Sequence, residues 1–266
     1  MPLPYATYLG HIRTESARFR EALTGCTPDA RVPSAPEWTA ADLLWHLGEV
    51  QHWWHHCITH RPAPPDDYVE PERPAAYDAL FGFYDEWHTR FIEALSSASP
   101  EDEAWSWSAN PSHHTVGFTY RRQAHEAAIH RLDAELAAGS ITPLDPELAL
   151  DGVEECLGVM YGGLPPWGSF DPLPHHVEFR ASDRGRSVWV QLGLFSGTPP
   201  QGDPVAGEPD FHVVPDPGQP ADATVAGTAD DLDAWLWHRR GDEVVHVTGE
   251  LEVYDRVRAV LKQPIK

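Results

Sequence analysis

The sequence predicts two domains of different class: an α-helical bundle over residues 1–165 and a smaller α/β domain over 166–266. Three observations carry that division. Apolar residues recur every three or four positions through the first 160 residues, which is the helical period. That stretch holds four segments of about 20 residues with this period, enough for a bundle whose sites are built from inward-facing side chains. After "YGGLPPWGSFDPLP" the pattern changes to short β-rich runs separated by turn residues.

In the first helix, Tyr5, Tyr8, Leu9, Ile12, Phe19 and Leu23 form the apolar face, and Gly25 ends it. Thr39, after the Pro36 turn, is placed to cap a second helix through "AADLLWHLGEVQHWWHHCI". The proline-rich "RPAPPDDYVEPERP" stops that helix. A third runs from Ala75 to Leu95, and a fourth from Gly117 to Ala138 with Gly139 as its stop. Between these two, "SPEDEAWSWSANPSHH" is a long connection of the kind that often carries function. A further helical segment, Pro146 to Met160, leads out of the bundle.

The second half begins with "HHVEFRAS" and "SVWVQLGLF", strands joined by the hairpin signal "DRGR". "DFHVVPD" and "ADATVAGT" predict further strands. "ADDLDAWLWHRRG" predicts a helix capped by Thr228 or Asp230 and stopped by Gly241. "EVVHVTG" is the last strand and "ELEVYDRVRAVLK" the last helix. The proline- and glycine-rich residues around 198–220 read as a long surface loop.

The charge narrows the range of partners. With 41 acidic residues against 19 basic, the net charge is −22. Such a chain is repelled by nucleic acid and by anionic membrane, so small molecules are the expected partners. No stretch approaches 18 apolar residues, and "MPLPYATYLGHIRTE" lacks a basic region followed by an apolar run. These features predict neither a membrane span nor a signal peptide. Cys26, Cys57 and Cys156 form no CxxC and read as reduced thiols of a cytoplasmic protein. Both a monomer and a homodimer fit these features. Lysine occurs only at Lys262 and Lys266, so arginine carries nearly all the positive charge. That usage suits planar carboxylate recognition, and compositional bias accounts for it equally well.

The chemistry centres on "RRQAHEAAIHRLDAE". Glu126 and His130 stand four apart, which stacks them on one helix face. The same spacing describes a surface carboxylate–imidazole pair. Their neighbours Ala124, Ala127, Ala128, Ile129 and Leu132 favour an interior position, where a charged glutamate needs a compensating partner. "WTAADLLWHLGE" supplies one on the second helix, where His46 lies among Leu43, Leu44, Leu47 and Val50. A core histidine with a satisfied hydrogen bond is the other reading of His46. Two histidines and a carboxylate from facing helices suit Zn²⁺, Fe²⁺, Ni²⁺ or Co²⁺ with positions left open.

Other donors compete. Glu49, three after His46, is either a fourth ligand or an acceptor behind it. His52, His55 and His56 form a second set or a polar helix end. Cys57 lies about 16 Å along the axis from His46 and cannot share its metal, and His125 points about 100° away from Glu126. Asp133, three after His130, and Glu49 are the acidic candidates for holding the far nitrogens of the imidazoles.

Three blocks in this order, "EWTAADLLWHLG", "RRQAHEAAIHRLDAE" and "ADATVAGTADDLDAWLWHRRGDE", resemble the signature blocks of the mycothiol-dependent maleylpyruvate isomerase family. The resemblance covers nearly the whole chain. It implies a DinB-like metal-binding four-helix domain followed by a small, sterol-carrier-like α/β domain. It implies His46, Glu126 and His130 as ligands of a divalent ion, most simply zinc, and mycothiol as the thiol co-substrate. Family members also use an arginine of the C-terminal domain near the active site. Arg239 in "LWHRR" matches it as the catalytic arginine, with His238 standing where the family usually has glycine.

The resemblance thus implies an isomerase in which sulfur adds to a cis double bond, the resulting single bond rotates, and elimination leaves the trans isomer. A mycothiol S-transferase would use the same thiolate and stop after addition or displacement. A dianionic substrate entering so acidic a protein needs local arginines. Arg121 and Arg122, one turn before Glu126, are the candidates for cofactor binding, and Arg239 and Arg240 add to them; a solvated helix face is the other reading of the first two. If the four arginines do not converge, a neutral electrophile is the better substrate. The tryptophans of "WSWS" serve as pocket wall or core. A non-catalytic metal- and small-molecule-binding protein is the reading from outside enzymology.

Overall fold

The computed structural model of the protein describes residues 2–263 and 265 and is a mixed helix-plus-sheet fold. It divides into two compact units, one made of residues up to Trp107 with Pro111–Pro143, the other of Leu144–Lys266 with Ser108–Asn110.

The first unit is built from α1 (Tyr5–Thr24), a short hairpin of β1 (Arg31–Val32) and β2 (Ala35–Thr39), α2 (Ala40–Thr59), α3 (Tyr77–Ser97) and α4 (Val116–Ala138). Helix α1 packs on α4, and α2 packs on α3 and on α4. Phe19 and Leu23 of α1, Leu43, Leu44 and Leu47 of α2, and Leu80 and Tyr84 of α3 meet in one apolar cluster. Helix α2 starts where Thr39 accepts the Asp42 N–H at 3.2 Å and Asp42 accepts the Thr39 N–H at 2.9 Å, a reciprocal cap. Helix α4 stops at Gly139, whose φ of 73° lies in the left-handed region that favours glycine. Nearly all of α4 is buried, so its sequence shows no polar face.

A buried ionic network anchors the C-terminal half of α4. Arg131, fully buried, donates to Glu15 Oε2 at 2.6 Å, to Glu135 Oε2 at 2.9 Å and to the Thr142 carbonyl at 2.7 Å.

The second unit contains α5 (Pro146–Glu155), running into a turn of π-helix at Cys156–Tyr161, then β3 (Gly168–Ala181), β4 (Arg186–Gly197), β5 (Val205–Val214), β6 (Ala223–Gly227), α6 (Ala229–Leu236), β7 (His246–Gly249) and α7 (Leu251–Leu261). The strands form one sheet in the order β5-β4-β3-β6-β7, antiparallel except for the parallel β3–β6 pair. On β3, Val177, Phe179 and Ala181 alternate inward with the period of two. They join Val190 and Leu192 of β4, Phe211 of β5, Leu232 and Trp235 of α6 and Val257 of α7 among the buried residues. The expected "DRGR" turn forms between β3 and β4, with Gly185 at φ 61°. Thr228 caps α6 by accepting the Asp231 N–H at 3.1 Å.

Helix α5 is grouped with the second unit because it packs on α6, and the Leu144 N–H just before it donates to Asp230 Oδ1 at 2.9 Å. Strand β5 takes in the strand predicted at "DFHVVPD" and extends back to Val205, into the stretch read from sequence as a surface loop. Among the described residues no helix is long and apolar enough to cross a membrane.

Candidate metal centre

Helices α2 and α4 bring His46, Glu126 and His130 together. One donor atom from each lies within 4.8 Å of the others. His46 Nε2 is 3.4 Å from Glu126 Oε1, and His130 Nε2 is 3.0 Å from the same oxygen. The two imidazole rings stand 4.8 Å apart at 77°, so both present nitrogen to the carboxylate rather than stacking away from it. The i, i+4 spacing on α4 sets one side of the site, and the capped start of α2 sets the other.

The surroundings hold these groups in place. His130 Nδ1 faces Asp133 Oδ2 at 3.0 Å, and the Ser34 hydroxyl donates to the other Asp133 oxygen at 2.5 Å. When such a ring is neutral, the far nitrogen that donates to a carboxylate fixes the tautomer and leaves the lone pair on Nε2. Trp38 of β2 lies 4.8 Å from the His46 ring and stacks 6.4 Å from that of His130. Arg122, only 4% exposed, donates to Glu126 Oε2 at 2.8 Å.

The electrostatics favour positive charge at this point. Burial acts to raise the Glu126 carboxyl, but His130, the His46 hydrogen bond and Arg122 outweigh it and hold the group well below the usual carboxylate range. Burial acts to lower the His130 imidazole, and the charges and hydrogen bonds of Glu126 and Asp133 outweigh it, so His130 is raised. A field that retains a proton on a buried imidazole also favours a dication. The donor set fits one: ligands at about 2.1 Å from a tetrahedral zinc stand about 3.4 Å apart, close to the separations around Glu126 Oε1.

Of the rival donors read from the sequence, none joins this set among the described residues. His125 is buried edge-on against Tyr8 at 6.3 Å. His52 bonds the Tyr68 hydroxyl at 2.8 Å, and both His52 and His55 pack on Trp87. Cys57 is buried in α2, and burial pushes its thiol up to about 12. Of the arginines, Arg122 is at the site but directed to Glu126, which replaces the solvated-face reading, and Arg121 is half-buried on the same helix. Arg240 is paired with Asp230 at 2.8 Å and with Asp231 at 2.5 Å.

Arg239 lies in the turn after α6. Its N–H donates to the Ala234 carbonyl at 2.7 Å and its Nη1 to the Trp237 carbonyl at 2.6 Å. The preceding His238 has φ 60°, a left-handed conformation costing roughly 1–2 kcal/mol in a non-glycine residue. Its Nε2–H donates to the Leu261 carbonyl at 2.6 Å, which offsets that cost. The position at which the resembling family carries glycine is thus one whose backbone favours glycine.

Sequence reading missed Ser34 and Trp38 as parts of the site. Trp38 stands inside the quoted "EWTAADLLWHLG", whereas Ser34 carries no signal beyond a turn flanked by prolines. Asp133→Asn is expected to weaken zinc binding by about 10–100-fold, because the amide cannot hold His130 as the carboxylate does. Ser34→Ala acts through Asp133 and is expected to have the smaller effect. Competition against a colorimetric chelator reads both, and unchanged affinity in Asp133→Asn would remove Asp133 from the role.

Comparison with known proteins places the chain in a family. Residues 9–135 match the domain described as "Mycothiol maleylpyruvate isomerase N-terminal domain", and residues 147–256 match the "MDMPI C-terminal domain". Two solved structures are similar: a crystal structure of the mycothiol-dependent maleylpyruvate isomerase, TM-score 0.59, and one of a mutant of it, TM-score 0.61. Each is 14% identical and covers 93% of this chain and 95% of its own, a likeness of fold. No curated protein sequence matches the chain. With both domain matches in order along the chain, the protein belongs to the mycothiol maleylpyruvate isomerase family.

Proposed function

We propose that the protein is a metal-dependent, mycothiol-using enzyme of the maleylpyruvate isomerase type. In this reading the first unit is the DinB-like metal-binding domain and the second the sterol-carrier-like one. The observation that carries the proposal is the convergence of His46, Glu126 and His130, backed by Asp133, in a chain of that family. These three residues would hold the ion, most simply Zn²⁺. A bound dication supplies the Lewis acidity that keeps a thiol, with an ordinary pKa of about 8.5, as thiolate at neutral pH.

The chain's own groups supply the rest. Asp133 fixes the tautomer of His130, and Ser34 fixes Asp133. Arg122 balances the Glu126 charge, and Trp38 covers one side of both imidazoles. Arg239 is the proposed substrate-carboxylate contact, which a guanidinium can grip with two parallel hydrogen bonds. Thiol adding to a cis double bond, bond rotation and elimination return the thiol, so an isomerase uses it catalytically.

One observation favours the S-transferase as the second reading. Of the four arginines expected to receive a dianion, Arg122 and Arg240 have their guanidinium groups on carboxylates of this chain. That leaves less positive charge for a dicarboxylate and suits a neutral electrophile.

The test follows mycothiol and product together in the full-length enzyme. The isomerase reading predicts many turnovers with thiol undiminished, and the transferase reading predicts one thiol consumed per product. Arg239→Ala is expected to keep its metal and lose most turnover of a carboxylate substrate. Turnover that does not depend on thiol would overturn both readings.

A further inference from the structure

A second set of metal-type donors closes at the other end of α2. His56 and His60 stand on successive turns, and their rings stack 4.0 Å apart at 19°. The proline-rich loop after α2 returns to place Asp67 Oδ1 3.1 Å from His56 Nε2. One donor atom from each of the three lies within 4.8 Å of the others. His56 is ten residues along α2 from His46, about 15 Å at the helical rise, so the two sets cannot share an ion.

The hydrogen bonds prepare the histidines for a cation. His60 Nδ1 lies 3.0 Å from the His56 carbonyl, which can only accept. Nδ1 therefore carries the proton, and Nε2 of neutral His60 presents its lone pair, the arrangement found behind metal-bound imidazoles. Tyr68, next to Asp67, is tied to α2 through the 2.8 Å contact of its hydroxyl with His52 Nδ1, and its ring lies 5.4 Å from His56. The adjacent cation is directed elsewhere: Arg61 donates to Asp102 Oδ2 at 2.8 Å and to the Ile58 carbonyl at 2.7 Å. A protonated His56 paired with Asp67 would use one imidazole. Two parallel imidazoles at 4.0 Å would repel each other as cations. As neutral rings, they and the carboxylate share one ion once the exposed His60 ring turns out of the stack to aim its lone pair at the space beside Asp67.

We propose that His56, His60 and Asp67 form a second divalent-cation site, separate from the first, that takes a first-row transition ion such as Zn²⁺, Ni²⁺ or Cu²⁺. Two imidazoles and a carboxylate with open positions match that class, and exposure makes the site the weaker of the two.

The test is calorimetric titration of chelator-stripped, full-length protein with Zn²⁺ and, separately, Ni²⁺. Two classes of site are expected. His60→Ala and Asp67→Asn should each weaken the second class at least tenfold and leave the first within twofold; both positions are exposed, and circular dichroism checks the fold. His46→Ala should remove the first class and spare the second. A second class that is absent from the wild type, or unchanged in both His60→Ala and Asp67→Asn, would overturn the proposal. A wild type that shows the second class and lacks the first would count against the His46–Glu126–His130 centre and leave this site standing.

Discussion

Glu126→Gln is expected to abolish tight metal binding and, with it, thiol-dependent turnover, while the helices of the first unit stay folded. Glu126 is the shared partner of His46, His130 and Arg122. A neutral amide removes the negative charge that raises His130 and, with Arg122 almost fully buried beside the site, shifts the charge facing His46 and His130 by one unit toward the positive. Two unit charges about 4 Å apart interact by about 4 kcal/mol at an effective dielectric of about 20, and a dication roughly doubles that. Even half of the single-charge figure exceeds tenfold in affinity, and the full figure approaches a thousandfold. Chelator competition measures this loss. An affinity within threefold of the wild type would show that Glu126 is a structural partner of Arg122 and not a ligand.

The largest effect on stability is expected from Arg131→Ala. The guanidinium lies between Glu15 and Glu135, which are themselves buried, and it also holds the Thr142 carbonyl. Removing it strands two carboxylates away from water, a change that costs about 3–5 kcal/mol. Arg18 donates to Glu135 Oε1 at 3.0 Å and offsets part of that cost, so Glu15 bears most of it. Urea denaturation should show the midpoint falling with the slope unchanged. Adding Glu15→Gln to Arg131→Ala should recover part of the loss, because the stranded charge is gone. A loss below about 1 kcal/mol would mean that water replaces the guanidinium.

The clustering of His46, Glu126 and His130 was largely legible in the sequence because its elements are local. The i, i+4 pair on α4 needs only helical periodicity, and the Thr39–Asp42 cap that starts α2 lies within four residues. The hairpin that carries Ser34 and Trp38 was not legible. A two-residue strand is too short to show alternation, and Pro33 and Pro36 read as turn signals that argue against pairing. Which histidines of "HWWHHCITH" cluster was equally hidden, because the answer depends on the returning loop: Tyr68 and Trp87 take His52, Trp87 takes His55, and Asp67 selects His56 with His60. Helix spacing alone groups His52, His55 and His56 instead. Arg122 and Arg131 each have one partner in the same helix at i+4, yet only burial shows that these pairs are committed rather than solvated.

The most direct test of the central claim is the metal content of the full-length protein after desalting, measured by elemental analysis for the wild type, His46→Ala and His130→Ala. The wild type is expected to retain about one equivalent of tightly bound divalent metal, and each variant less than a tenth of that, with unchanged helical content. The fold should persist because the buried apolar faces of α1 to α4, rather than the ion, supply most of the stability of the first unit. A full equivalent retained by both variants would contradict the assignment of His46, Glu126 and His130 as the metal centre.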